Sequence, residues 1–314
     1  MKRIIFLVLS LLVCLNAEAQ KAEGKGGLKA KALIKLTAEP VHNRELLYKE
    51  TPQGPLKLHV FSPMKPQGPA AGGKPCIVFF FGGGWKSGSF LQFVPQAEYF
   101  ASRGLVTACV DYRILSQHQT TPDKAVEDAR SAIRWVRGHA AELGVDPGRI
   151  VAAGGSAGGH LAACTALVGT LDAAGEDKSV SAVPDALVLF NPAMNISTLF
   201  KGRATGDVRG FTLEMAEAIT PNRFVSSNTP PAILFFGTSD MLKAGGDEYV
   251  RKARALGLRA EMWSAKDMPH GFFNREPWIR VTARKMEEFL VSLGYLDGGN
   301  RLVLPPDAPS LVAE

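Results

Sequence analysis

Arg149-Ile-Val-Ala-Ala-Gly-Gly-Ser-Ala-Gly158 runs from a short apolar segment straight into Gly-x-Ser-x-Gly, with Gly154, Ser156 and Gly158 at the marked positions. A serine hydroxyl attacks only when a base takes its proton, so it must be held within reach of a histidine and of oxyanion donors. A sharp strand-to-helix turn does this by projecting Oγ from a sheet edge, and its strained backbone tolerates only neighbours with little or no side chain. Gly154, Gly155, Ala157, Gly158 and Gly159 meet that demand. The stretch reads as a strand over 150–153, a nucleophile turn at Ser156 and a helix over 156–168. The five-residue pattern also arises by chance, so the rest of the chain has to supply its partners.

Outward from this turn, short apolar runs alternate with longer amphipathic ones. Residues 76–81 form a continuous apolar run, suited to a strand buried on both faces, whereas 56–61 alternates as a half-exposed strand. Further strands are expected over 105–110, 186–190, 232–236 and 258–263, and helices over 91–103, 121–143, 244–256 and 279–293. The longest helix opens with Thr121-Pro122, a cap and a first-turn proline, and closes at Gly144. Strands alternating with helices imply an α/β fold with a mostly parallel sheet, helices on both faces and right-handed crossovers.

The ends differ from this pattern. Met1-Lys-Arg precedes an apolar run from Ile4 to Leu15, and Ala17-Glu18-Ala19 offers a small-x-small cleavage site. Residues 1–19 therefore read as a secretory signal removed near Ala19, without the stop-transfer pattern of a membrane span, and the protein is expected to be exported to the periplasm or beyond. A lipoprotein anchor at Cys14 would need a small residue where Val13 stands. Residues 20–43 read as a lead-in and 44–295 as one α/β domain, with 192–231 as an insertion forming a lid or substrate wall. Residues 296–314, with three prolines and two glycines, read as a loose tail.

Composition excludes several classes. The chain of 314 residues carries a formal charge of +6; without Lys2, Arg3 and Glu18 the remainder carries +5. Its basic residues are scattered among acidic ones, so no nucleic-acid partner is expected. Cys76, Cys109 and Cys164 lie in apolar stretches and read as free buried thiols, too few for a disulfide scaffold. His-Glu-x-x-His, paired cysteine motifs and EF-hand spacing are absent, and so is Gly-x-Gly-x-x-Gly, so neither metal nor cofactor is expected. Lys86-Ser87 follows Trp85 rather than the glycine a P-loop requires. Nothing in the sequence specifies an oligomeric state.

Partners for Ser156 stand at the ends of expected strands. After 76–81 comes Gly82-Gly83-Gly84-Trp85, where the Gly83 and Gly84 amides can approach a substrate oxygen and act with that of Ala157 as an oxyanion hole. Asp240 follows the strand at 232–236 and His270 the strand at 258–263, in the order Ser, Asp, His. Asp185, Asp247 and Asp267 compete for the acid's role, and Asp267 is three residues from His270. His160, one turn beyond Ser156, reads as a packing residue. His42, His59, His118 and His139 fall on lead-in, strand, loop and helix surface. Trp85 reads either as a wall of a substrate pocket or as core.

Together, Gly-Gly-Gly-Trp85, Asp111-Tyr-Arg113, Gly-Gly-Ser156-Ala-Gly-Gly-His160, Gly-Thr-Ser-Asp240 and His270-Gly-Phe resemble the α/β-hydrolase superfamily. The branch most similar is that of hormone-sensitive-lipase-like carboxylesterases and exported carbohydrate esterases. The resemblance covers 56–293 and implies an eight-stranded sheet, Ser156 as nucleophile, and Asp240 and His270 as its partners. It also implies an oxyanion hole at Gly83, Gly84 and Ala157, and a serine esterase acting on short acyl esters, acetyl or feruloyl, of small molecules or glycans. The family's His-Gly-Gly-Gly has Phe81 in place of the histidine, so the loop must be supported differently. The large helical cap of lipase-like members is too short here, which favours an open cleft. Two other classes share the motifs: a prolyl-oligopeptidase-like peptidase, whose usual propeller the chain is too short to contain, and a catalytically silent binding protein of the same fold.

Overall fold

Runs that are apolar without alternation become the middle of the sheet. Residues 34–64, 73–200, 211–298 and 301–314 are described by the computed structural model; the expected signal segment, most of the lead-in and part of the insertion lie outside them. Among the described residues, one sheet contains β1 (Val41–Lys49), β2 (Leu56–Pro63), β3 (Lys74–Phe80), β4 (Val106–Val110), β5 (Val145–Gly155), β6 (Ala186–Phe190), β7 (Ala232–Gly237), β8 (Ala260–Ala265) and β9 (Val312–Ala313). Its order is β1-β2-β4-β3-β5-β6-β7-β8-β9. The pairs β1/β2, β2/β4 and β8/β9 are antiparallel and the others parallel. Every residue of β6 and β7 is buried, as a strand covered on both faces requires.

All seven strands read from the sequence are present, but the sheet has nine strands where eight were expected. The two unread strands lie at its edges. β1 is mostly exposed and carries little hydrophobic signal; it begins inside the stretch read as lead-in. β9 lies in the stretch read as a loose tail, where Val312 and Ala313 pair with Ser264 and Trp263 and the Glu314 amide donates to the Met262 carbonyl at 3.0 Å. A two-residue strand has no periodicity to read.

The long helices are α1 (Val94–Ser102), α2 (Pro122–Gly138), α3 (Ala157–Leu167), α4 (Lys243–Ala255) and α5 (Trp278–Ser292). α2 turns Ala125, Val126, Ala129, Ala132, Ile133 and Val136 inward, at the three- and four-residue spacing of one helix face. It stops at Gly138 rather than 143: His139 leaves the helical region, and a separate turn, Ala140–Leu143, ends at Gly144 with φ 66°. Thr121 has the extended backbone of a cap, but its side chain makes no capping bond. α1 is preceded by a 3-10 turn, Phe90–Phe93, within the span expected as one helix. No helix of the described residues is long and apolar enough to cross a membrane. Cys76, Cys109 and Cys164 are free and buried.

Candidate active site

Parallel strands bring their carboxyl ends to one edge, and neighbouring β3, β5, β6, β7 and β8 each deliver part of the site there. Ser156 follows β5 directly, with φ 55° and ψ −117°, a conformation rarely taken by a residue with a side chain. Its amide donates to the Phe190 carbonyl at 2.8 Å, and its own carbonyl accepts from the His160 amide at 2.9 Å. The surrounding glycines are set by distance. A Cβ on Gly158 would stand 2.0 Å from the Phe80 carbonyl oxygen, and one on Gly154 2.3 Å from that of Gly158. α3 can therefore start against the ends of β3 and β5 only because these positions lack side chains.

Ser156 Oγ lies 2.8 Å from His270 Nε2, and His270 Nδ1 lies 2.8 Å from Asp240 Oδ2. With Nδ1–H donating to the carboxylate, Nε2 is left to accept the serine proton. The Asp240 side chain is fully buried and that of His270 is 24% exposed. Asp240 Oδ2 also accepts from Asn191 Nδ2, and its Oδ1 from the Leu242 amide at 2.9 Å. Three donors satisfy this buried carboxylate and fix its orientation. The competing acids are engaged elsewhere or turned to solvent: Asp185 with Arg137 at 3.0 Å, Asp247 with Lys243 at 2.8 Å, and Asp267 on an exposed turn.

Opposite Ser156, the loop after β3 is folded by glycine. Gly83 has φ 129°, and a Cβ there would lie 1.9 Å from the Ser87 carbonyl oxygen, which a side chain cannot accommodate. The Gly82 amide is taken by Gln92 Oε1 at 2.5 Å. Among the described residues no hydrogen bond takes the Gly83 or Gly84 amide. Ala157 opens α3, so its N–H is one of the amides a helix leaves without an internal acceptor. The three amides read from the sequence as oxyanion donors are therefore not consumed by hydrogen bonds among the described residues.

Phe81, standing where the resembling family has histidine, braces the loop with its ring. It stacks on Tyr112 with centroids 4.1 Å apart, and the Tyr112 hydroxyl donates to the Phe81 carbonyl at 2.6 Å. Half-buried Trp85 stands edge-on to His160, and its indole N–H donates to His160 Nδ1 at 3.2 Å. His160 in turn faces the Ile219 carbonyl at 2.7 Å, so Nε2 carries its proton. Burial holds the His160 pKa down to about 4, keeping the ring neutral. His160 therefore couples the loop to residue 219 of the insertion. No group of three or more His, Cys, Asp or Glu placed to hold a metal occurs among the described residues.

The BD-FAE family model matches residues 58–244, more than half of the chain and most of this site. The chain belongs to the BD-FAE family, among the α/β-hydrolase esterases. A thermophilic esterase from the Planctomycetes species Thermogutta terrifontis is 41% identical, with TM-score 0.74, over 81% of this chain and 93% of that one. The same esterase has been solved with propionate bound and after phosphorylation by paraoxon. Esterase LipI of Mycobacterium tuberculosis is 29% identical over 90% of this chain and 93% of its own length. A probable isoprenylcysteine alpha-carbonyl methylesterase of Arabidopsis thaliana is 30% identical over 88% of this chain, but the match spans only 60% of that protein. In this BD-FAE member the sequence reading missed Gln92, Asn191 and Asn274. Asn191 left one signal, an Asn-Pro pair directly after a buried strand.

Proposed function

We propose that this protein is an exported serine carboxylesterase that hydrolyses short acyl esters, with acetyl or feruloyl groups on carbohydrate alcohols as the preferred class. The observation that carries the reading is the Ser156–His270–Asp240 chain of hydrogen bonds, with 2.8 Å on each side of the histidine, set at a strained turn. In the proposed mechanism His270 Nε2 takes the Ser156 proton as Oγ attacks the ester carbonyl, and Asp240 stabilises the imidazolium that forms. The tetrahedral oxyanion is received by the amides of Gly83, Gly84 and Ala157, the last backed by the positive end of α3. His270 then passes its proton to the leaving alcohol, and water activated by the same ring frees the acid. Trp85, held edge-on by His160, would border the acyl group. The short acids in this reading have support in the propionate and butyrate bound to the Thermogutta esterase. Export, to the periplasm or beyond, is read from residues 1–19 alone.

A panel of acetylated glycans, feruloylated glycans, simple acetyl esters and a matched amide, assayed side by side with purified protein, tests the proposal. Fastest turnover on an acetylated or feruloylated sugar supports it. Turnover confined to the amide would replace it with the peptidase reading, and wild-type protein left unlabelled by a fluorophosphonate would replace it with a silent binding protein.

A further inference from the structure

Two side-chain amides join the two loops that face Ser156. Gln92 Oε1 accepts the Gly82 N–H at 2.5 Å, Gln92 Nε2 donates to Asn274 Oδ1 at 3.0 Å, and Asn274 Nδ2 donates to the Gly271 carbonyl at 3.1 Å. Gly82 opens the oxyanion loop and Gly271 directly follows His270. The direction of the chain is dictated by its ends: a backbone donor at Gly82 requires the Gln92 oxygen, and a backbone acceptor at Gly271 requires the Asn274 nitrogen. Each amide then has one orientation, and the middle bond fits it. Gln92 and Asn274 ride on the 3-10 turns Phe90–Phe93 and Phe272–Asn274, whose Phe93 and Phe273 rings stack 6.0 Å apart. A Cβ on Gly155 would touch both rings, at 3.3 Å and 2.5 Å, so the pair lies directly against the turn that carries Ser156.

We propose that Gln92 and Asn274 are positioning residues for the hydrolysis, holding the oxyanion loop in register with His270. By consuming the Gly82 N–H, Gln92 orients the loop so that the next two amides are the free donors. By tying Asn274 to the Gly271 carbonyl, the same chain fixes the loop that carries His270. The inference rests on the serine-esterase reading above. Oxyanion donors and the base act in one transition state, so a shift of either loop by a fraction of an ångström lowers turnover more than ground-state binding.

The test compares wild type with Gln92→Met, Asn274→Leu and the double variant on p-nitrophenyl acetate, with melting temperature and fluorophosphonate labelling recorded for each. Each single variant is expected to lose about 10- to 100-fold in kcat with KM within about threefold, while labelling of Ser156 still reaches one per chain. The double variant is expected to lose no more than the larger single loss, because cutting one chain twice adds nothing. Singles that retain kcat within about twofold of wild type, or losses that multiply in the double variant, overturn the proposal. Should one variant fail to fold, the other cuts the same chain from its opposite end and decides alone. Wild-type protein that does not label is a failure of the esterase reading, distinct from either result.

Discussion

Ser156 is held at positive φ, and residues in such conformations typically store about 1 to 3 kcal/mol of strain that the fold has to offset. Its replacement by alanine is expected to reduce hydrolysis of p-nitrophenyl acetate by at least about a thousandfold, without lowering the melting temperature; undiminished turnover would refute the mechanism. Asp240 tests a different physical point. In Asp240→Asn the shape is kept, but the carboxylate that orients His270 and receives Asn191 is lost, so His270 Nδ1 meets a neutral amide instead of an anion. A loss of about four orders of magnitude in kcat with little change in KM is expected from steady-state kinetics.

The loop after β3 shows how an element is shaped by what it cannot contain. With φ 129° at Gly83 and only 1.9 Å between an added Cβ and the Ser87 carbonyl oxygen, Gly83→Ala must open the loop. Activity is expected to fall by about a hundredfold or more while circular dichroism and melting temperature stay near wild type, because the loop carries little of the core. His160 connects that loop to the insertion and gives it a pH dependence. Its folded pKa, about 4, lies below the 6.5 of an unpartnered histidine, so between those values the unfolded chain binds the proton and the folded chain does not. Stability is then full above about pH 6.5 and falls as pH drops toward 4, by up to roughly 3 kcal/mol from this residue. Urea unfolding at pH 7 and pH 5 is expected to show a smaller drop in His160→Asn than in wild type. An equal drop in both would show that the ring does not titrate as described.

For the whole molecule, the sheet's last edge is covered by the chain's own end. β9 pairs with β8, Arg254 Nη2 donates to the Glu314 carbonyl at 2.8 Å, and Lys243 Nζ lies 3.4 Å from Glu314 Oε1. Removing residues 312–314 would leave the β8 edge unpaired, the kind of surface that recruits another strand. The truncated protein is expected to melt a few degrees lower and to aggregate faster, with kcat unchanged, since none of the reacting groups contacts the removed residues. Melting curves together with light scattering check this.

What the sequence determined by itself is local. Buried strands declared themselves as unbroken apolar runs, and Gly-Gly-Ser156-Ala-Gly-Gly announced its turn, because both signals arise from neighbours along the chain. Ser, Asp and His could be placed at strand ends for the same reason. Its place after a strand put Asp240 ahead of Asp185, Asp247 and Asp267 in the sequence; what tertiary structure adds is the contacts, an Asp240 carboxylate that reaches a ring 30 residues away while Asp185 and Asp247 pair with an arginine and a lysine. Tertiary structure alone joined Gln92 to Asn274 across 182 residues, replaced a missing histidine with the Phe81–Tyr112 stack, and brought the tail back onto β8. Those contacts form only when distant segments are packed side by side, and a polar side chain leaves no periodic trace of the partner it will meet.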